Sequence, residues 1–238
     1  MKPLNTLIFL MFVLGSAYGQ DRKSPSKKFQ IGINYSHDYN YRCLTLNKEN
    51  HDSKIDKEIR NKYETAKYGY TSGILISLAI HSKLAFTTGL QYSNKGYQIK
   101  KSSVANDLLH QAFRSSHFNY SYYYIDFPLT MSYIIGKKKL QYIISTGLTA
   151  NLFINDKKFQ NNNFSSNYTY IQIYFPNYSS NKLNLSSTLS CGFNYRILSK
   201  IDIRIEPTFR YQLFNTRNTD LSAHLWNIGM NTGILYSF

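Results

Sequence analysis

Charged residues recur at alternate positions over one short stretch of the chain: Asp202, Arg204, Glu206 and Arg210 interleave with Ile201, Ile203, Ile205, Phe209 and Tyr211. Alternate positions of an extended chain share a face, so the charges stand together on one side of a strand and the apolar residues on the other. Arg196 and Asp126 belong to neighbouring stretches of the same kind and are expected to face this group. Two chemistries fit it: a core that binds an ion or polar substrate, or paired charges that fill an interior without any ligand. The second is favoured, because charges withdrawn from water are tolerated only when paired and hydrogen-bonded.

Other candidate chemistry is weaker. The histidines His37, His51, His81, His110, His117 and His224 show no His-Glu-x-x-His spacing and no tight His/Cys cluster, so no metal and no cofactor is expected. His110 and His117 share a segment with Ser102, Ser103, Asp107, Ser115 and Ser116, from which a nucleophile and base can be drawn. Without a Gly-x-Ser-x-Gly elbow or a phosphate-binding glycine loop, that segment reads first as an ordinary polar loop. No catalytic residue is assigned.

The elements that position these residues are strands. Period-two alternation recurs over Phe29–Tyr39, Tyr68–His81, Leu84–Gly96, Ser121–Gly136, Leu140–Phe153, Leu183–Leu198, Ile201–Leu213 and His224–Phe238. The connections alternate too, being short at 82–83, 137–139 and 199–200 and long at 40–67, 97–120, 154–182 and 214–223. Short turns on one rim and long loops on the other describe an all-β fold, an eight-stranded antiparallel up-and-down transmembrane β-barrel with periplasmic turns and extracellular loops. A strand of 10 to 12 residues tilted by about 45° spans the roughly 25 Å apolar band of such a barrel.

A soluble barrel or sandwich alternates equally well, with its apolar face inward. Three features favour the membrane version. Aromatic residues gather near strand ends, as at Tyr120, Tyr122, Tyr123, Tyr124 and Tyr133 or Phe209, Tyr211 and Phe214, where an interfacial girdle would lie. The polar faces are rich in Ser, Thr, Asn and Gly, which suit a narrow lumen. The chain also ends on an alternating strand with Ile234, Tyr236 and Phe238. Pro128 and Pro207 each remove a ladder donor, so a bulge is expected at each.

The ends and the charge balance supply an address. Lys2, the apolar run Leu7–Leu14 and the small residues Ala17 and Gly19 describe a secretory signal peptide over residues 1–19, cleaved after Gly19. A short segment at 20–28 then leads into the barrel domain at 29–238. With 28 Lys+Arg against 13 Asp+Glu the chain carries a formal +15. No nucleic-acid motif accompanies that excess. Lys83, Lys137, Lys138, Lys139 and Lys200 cluster on the short turns, where outer-membrane lipid headgroups and, on the loops, lipopolysaccharide are the expected anionic partners. Cys43 and Cys191 fall at different heights, too far apart for a disulfide.

At this point the chain resembles the PorT-like outer-membrane β-barrel family of Gram-negative bacteria. Gly89-Leu90-Gln91-Tyr92-Ser93-Asn94-Lys95-Gly96 is similar to that family's third strand and Tyr124-Ile125-Asp126-Phe127-Pro128-Leu129-Thr130-Met131-Ser132-Tyr133 to its fourth. Ile234, Tyr236 and Phe238 resemble the terminal signal read by the barrel assembly machinery. The resemblance implies a cell-envelope location and fold. The family's named member is an accessory of protein secretion, and no catalytic residues carry over.

Two loops stand out. The charged stretch at 40–67 can hold a short surface helix through opposite charges three or four apart. In 154–182, Tyr168, Tyr170, Ile171, Ile173, Tyr174 and Phe175 alternate around polar residues, so the fifth and sixth strands are expected to continue as a hairpin above the membrane, an aromatic ribbon that is either a surface for a partner or glycan or a lid over the barrel mouth. The functional expectation is a non-catalytic outer-membrane barrel, structural or binding, or serving an envelope complex through its loops. The alternatives are a lipid-modifying outer-membrane enzyme and a soluble secreted barrel holding a small apolar ligand.

Overall fold

The computed structural model describes residues 29–47, 51–99, 116–136, 139–164, 167–173, 181–215 and 221–238, with backbone alone at 116–117, 159–164 and 167–173. The described residues form strands β1 (Phe29–Leu46), β2 (Glu64–Thr65), β3 (Lys67–His81), β4 (Leu84–Ile99), β5 (Ser116–Ile135), β6 (Leu140–Phe164), β7 (Asn167–Ile173), β8 (Leu183–Arg196), β9 (Ile201–Gln212) and β10 (Leu221–Ser237) and a helix, α1 (His51–Tyr63). Eight of them close a barrel in the cyclic order β1-β3-β4-β5-β6-β8-β9-β10, every neighbouring pair antiparallel. β2 extends the β3 side by pairing with β4, and β7 pairs with β6 above the wall.

The register fixes the barrel's shape. The paired residues Phe29, Leu78, Phe86, Met131, Thr146, Leu189, Phe209 and Ile228 lead once round the wall and return to β1 at Tyr39, ten residues beyond the start. With strands about 4.8 Å apart and a rise of about 3.3 Å, that stagger tilts the strands by about 40° and gives a radius of about 8 Å. Inward side chains at one level must therefore meet.

Alternation decides which face is which, and here the apolar face points outward. On β9, Asp202, Arg204, Glu206, Thr208, Arg210 and Gln212 are buried while Phe209 is exposed. On β1, Asn34, Ser36, Asp38, Asn40 and Arg42 are buried while Ile31, Ile33, Tyr35 and Tyr39 are exposed. Lipid is the solvent that makes this arrangement favourable. Two outward aromatic bands bound the aliphatic zone. The lower includes Phe29, Tyr236 and Phe238, with Phe29 and Phe238 centroids 5.6 Å apart. The upper runs across neighbouring strands through Tyr39 and Tyr68 at 5.6 Å and Tyr92 and Tyr123 at 5.9 Å. Ten residues of tilted strand separate them, about 25 Å of height.

The prolines behave otherwise than expected. Pairing continues in one register from Thr88↔Leu129 to Gln91↔Asp126 and from Ser190↔Thr208 to Phe193↔Ile205. Each proline forfeits ladder contacts on one side only, keeps those on its other side, and leaves the facing beyond it unchanged. The irregularities lie instead at Ala79/His81 and Tyr123/Tyr124. The girdle is corrected as well: Tyr122 and Tyr124 turn inward, 4% and 1% exposed.

The short turns are tied to the adjoining strand through their carbonyls: Ile134 N donates to Lys83 O, Arg196 N to Lys139 O and Ser237 N to Lys200 O, each at 2.8 Å. Gly136 takes φ of 105°, which a residue with a Cβ rarely adopts. The expected helix in the first long loop is present as α1. The hairpin expected above the fifth and sixth strands is present as the upper part of β6 paired with β7.

Candidate functional site

Among the described residues polar chemistry is concentrated in the lumen, and its contents follow from height. Near the periplasmic end Leu75, Ala85, Ile143 and Leu235 are buried and form an apolar floor. At the same level Asp202 accepts Gln30 Nε2 at 2.8 Å and contacts Arg196 Nε at 3.4 Å. Arg196 is half-open to the periplasmic rim. Above the floor an amide ladder crosses three strands, Gln91 Nε2 donating to Asn34 Oδ1 at 3.1 Å and Asn34 Nδ2 to Asn231 Oδ1 at 2.9 Å.

Two buried ion pairs occupy the middle. Asp38 receives Thr71 Oγ1 at 2.6 Å and Arg210 Nη1 at 3.3 Å, and the Ser36 hydroxyl also donates to it. Gly229 makes room for it, since a Cβ there would lie 1.9 Å from Asp38 Oδ1. Asp126 receives Asn151 Nδ2 at 2.6 Å, and its other oxygen lies 3.0 Å from Lys95 Nζ, in contact but off the hydrogen-bonding direction. The Lys95 ammonium also stands 5.1 Å from the Tyr124 ring centre.

Toward the extracellular side Tyr97, Tyr122, Tyr124 and Leu225 pack into a buried cluster joining β4, β5 and β10 across the lumen. Above it sits α1. Glu64, just past the helix, accepts Arg42 Nε at 2.6 Å and Arg60 Nε at 2.7 Å, while Arg42 Nη1 reaches Asn61 Oδ1 at 2.8 Å and Arg60 Nη2 reaches the Tyr97 hydroxyl at 3.2 Å. Burial opposes the Arg60 charge, but Tyr97 and Glu64 outweigh it and raise its pKa above the ordinary arginine value. The latch between helix and wall is thus permanently charged.

The charges singled out in the sequence are therefore divided among separate contacts. Asp126 and Arg210 pair with Lys95 and Asp38, which sequence reasoning missed, and Arg196 pairs with Asp202. Glu206 accepts the Ser145 hydroxyl at 3.3 Å, and the buried Arg204 keeps Nε without a hydrogen-bond partner among the described residues. Phase was the available signal: Asp38 shares the inward face of β1 with Asn34 and Asn40, and Lys95 that of β4 with Gln91 and Ser93. Ile234, Tyr236 and Phe238 face lipid, 51%, 41% and 68% exposed. Of the aromatic ribbon, the backbone of Tyr168, Tyr170, Ile171 and Ile173 lies in β7, while their side chains and all of Tyr174 and Phe175 fall outside the described residues, as do residues 1–28. Cys43 and Cys191 are both free.

The model of the outer membrane protein beta-barrel domain family matches residues 18–215. The chain belongs to that family. This is a barrel of the bacterial outer membrane. No curated protein sequence matches it significantly. Among solved structures, this outer-membrane barrel is similar to Neisserial surface protein A at 11% identity and a TM-score of 0.43, over 88% of this chain and 97% of that one. It is similar to OprG from Pseudomonas aeruginosa at 10% identity and a TM-score of 0.42, over 89% and 97%. It is also similar to Ail of Yersinia pestis at 9% identity and a TM-score of 0.35, over 88% and 98%.

Proposed function

We propose that the chain is a non-catalytic outer-membrane component that acts through its extracellular face, binding a partner or serving an envelope complex. The observation that carries this reading is a polar lumen closed by apolar side chains at both levels, Leu75, Ile143 and Leu235 below and Tyr97, Tyr122, Tyr124 and Leu225 above. A wall of that kind leaves diffusion to other proteins and puts what is distinctive on the rim. There β5 and β6 stand 20 and 25 residues long, well beyond bilayer need. The likeness to PorT-like barrels extends the proposal to an accessory role in protein secretion. Export by the 1–19 signal, insertion by the assembly machinery through Ile234, Tyr236 and Phe238, and loop contacts with lipopolysaccharide belong to the same reading.

The test replaces 157–179 by a short Gly/Ser link in the full chain. The variant is expected to keep the gel-mobility shift between unheated and boiled samples while losing its co-purifying envelope partner. Reconstituted wild-type protein is expected to pass no small solutes in a liposome-swelling assay. Porin-like swelling, or full partner retention without the hairpin, overturns the proposal.

A further inference from the structure

We infer that the extracellular half of the outer wall, across β3 to β6, holds a site for the phosphate-bearing headgroup of an outer-leaflet lipid, with Lys67 and Lys157 as its cations. Lys67 starts on the inward phase beside Asn40. Its stem then crosses Gly96, where a Cβ would stand 3.5 Å from Lys67 Cε. Its ammonium donates to Asn94 Oδ1 at 2.9 Å and to the Ser121 hydroxyl. Asn94 is paired with the outward Tyr123, and Ser121 stands two residues from Tyr123 on the same phase of β5. Lys157 of β6 lies across from Ser121 in the ladder and places Nζ 5.6 Å from the Tyr123 ring centre. The two ammonium groups thus converge on Ser121 and Tyr123. The rings of Tyr70, Tyr92 and Tyr123 continue the patch, with successive centroids 6.2 and 5.9 Å apart.

The chemistry of the patch selects the ligand. Lys67 is 7% exposed, and among the described residues neither it nor Lys157 pairs with a carboxylate. Asp156, next to Lys157, is paired with Tyr122 of the tyrosine roof and faces the lumen. An ammonium has three donors, and Asn94 and Ser121 take two from Lys67. A buried cation held by neutral acceptors alone keeps its desolvation cost. A phosphate oxygen supplies the missing charge and takes the third donor. Depth assigns that phosphate to a lipid. The site lies in the upper aromatic band, at headgroup level. Below it Ile74, Leu90 and Leu129 are exposed, an aliphatic bed for acyl chains. The inference rests on the lipopolysaccharide contact of the proposed function and moves it from the loops to the wall.

The test mixes the full chain, refolded in neutral detergent, with lipid A in its phosphorylated or dephosphorylated form and reads retention by native mass spectrometry. Wild type is expected to retain the phosphorylated form preferentially. Lys67→Gln and Lys157→Gln are each expected to lower that preference about fivefold. Lys83→Gln combined with Lys200→Gln, on the periplasmic turns, is expected to leave it unchanged. Should Lys67→Gln not give the heat-shifted gel band, Lys157→Gln decides alone. Equal retention of both forms by wild type, an undiminished preference in Lys157→Gln, or an equal fall in the turn variant overturns the site. Full displacement by inorganic phosphate, which has no acyl chains, also overturns it. Partner capture through the hairpin is read in its own assay, so either reading can fail while the other stands.

Discussion

One side of the barrel wall is low and the side next to it is tall. β8 and β9 are 14 and 12 residues long, β5 and β6 are 20 and 25. Within the membrane both sides obey the same rule, small polar or charged residues inward and aliphatic ones outward. The low side spends its inward positions on charge, with Asp202, Arg204, Glu206 and Arg210 all buried on β9. The tall side continues above Leu152 with no lumen to fill, and there its lysines lie against rings: Lys158 Nζ stands 4.6 Å from the Phe118 centroid and Lys157 Nζ 5.6 Å from that of Tyr123. The bilayer sets the length of the short strands. The excess in the long ones stands outside it, on the face through which the proposed contacts would be made.

Breaking the low side's interior is expected to cost most. Asp38→Ala removes the carboxylate that pairs with Arg210 of β9 at 3.3 Å. Stranding one member of a buried pair costs about 3–5 kcal/mol. The folded, fast-migrating band of unheated samples should disappear at a urea concentration well below the wild-type midpoint. Adding Arg210→Met should restore part of the loss, because a fully apolar replacement leaves no orphan charge. A loss under about 1 kcal/mol for Asp38→Ala alone, outside that range, would mean that the lumen charges do not carry the wall.

A smaller effect tests the same spot through space rather than charge. Gly229→Ala puts a methyl 1.9 Å from Asp38 Oδ1 and 2.6 Å from Ser36 Oγ, whereas at Gly233 on the same strand the nearest atom is 3.4 Å away. Forcing the carboxylate aside should cost about 1–3 kcal/mol. Gly233→Ala should be nearly silent in the same urea titration. Equal effects at the two glycines would show that β10 as a strand, rather than the Asp38 seat, dislikes the change.

The wall was legible in the sequence and its filling only partly so. Alternation exposed all eight strands because lipid outside and packed polar groups inside impose period two along their whole length. It also exposed Asp202 to Arg210, where charges stand in series. Asp38 and Lys95 sit singly among Asn, Ser and Tyr, so phase marked them as inward but not as partners until the register set β1 and β9 on either side of β10 and paired β4 with β5. In Tyr120-Ser121-Tyr122-Tyr123-Tyr124 both phases carry tyrosine, and periodicity cannot tell the roof from the girdle. The prolines misled because a ladder lost on one side was read as a change of register. The upper part of β6 was legible only through the alternating residues of its hairpin partner, because Asn161, Asn162 and Asn163 have the composition of a loop, and pairing with β5 and β7 makes them strand.

The tall side should yield the smallest effect on stability, and that smallness is what sharpens the contrast. Lys158→Ala removes a cation from between Phe118 and Tyr120, at 4.6 and 5.0 Å. Where water still reaches them such contacts contribute about 0.5–1 kcal/mol, and these two lie on the crest. Unfolding of the barrel should therefore begin from below and leave the urea midpoint within error of wild type. Partner capture through the hairpin should weaken, since the lysine fixes the rings that line it. A destabilisation as large as that of Asp38→Ala would place the crest within the folding core. The two sides would then have to be read as one cooperative wall.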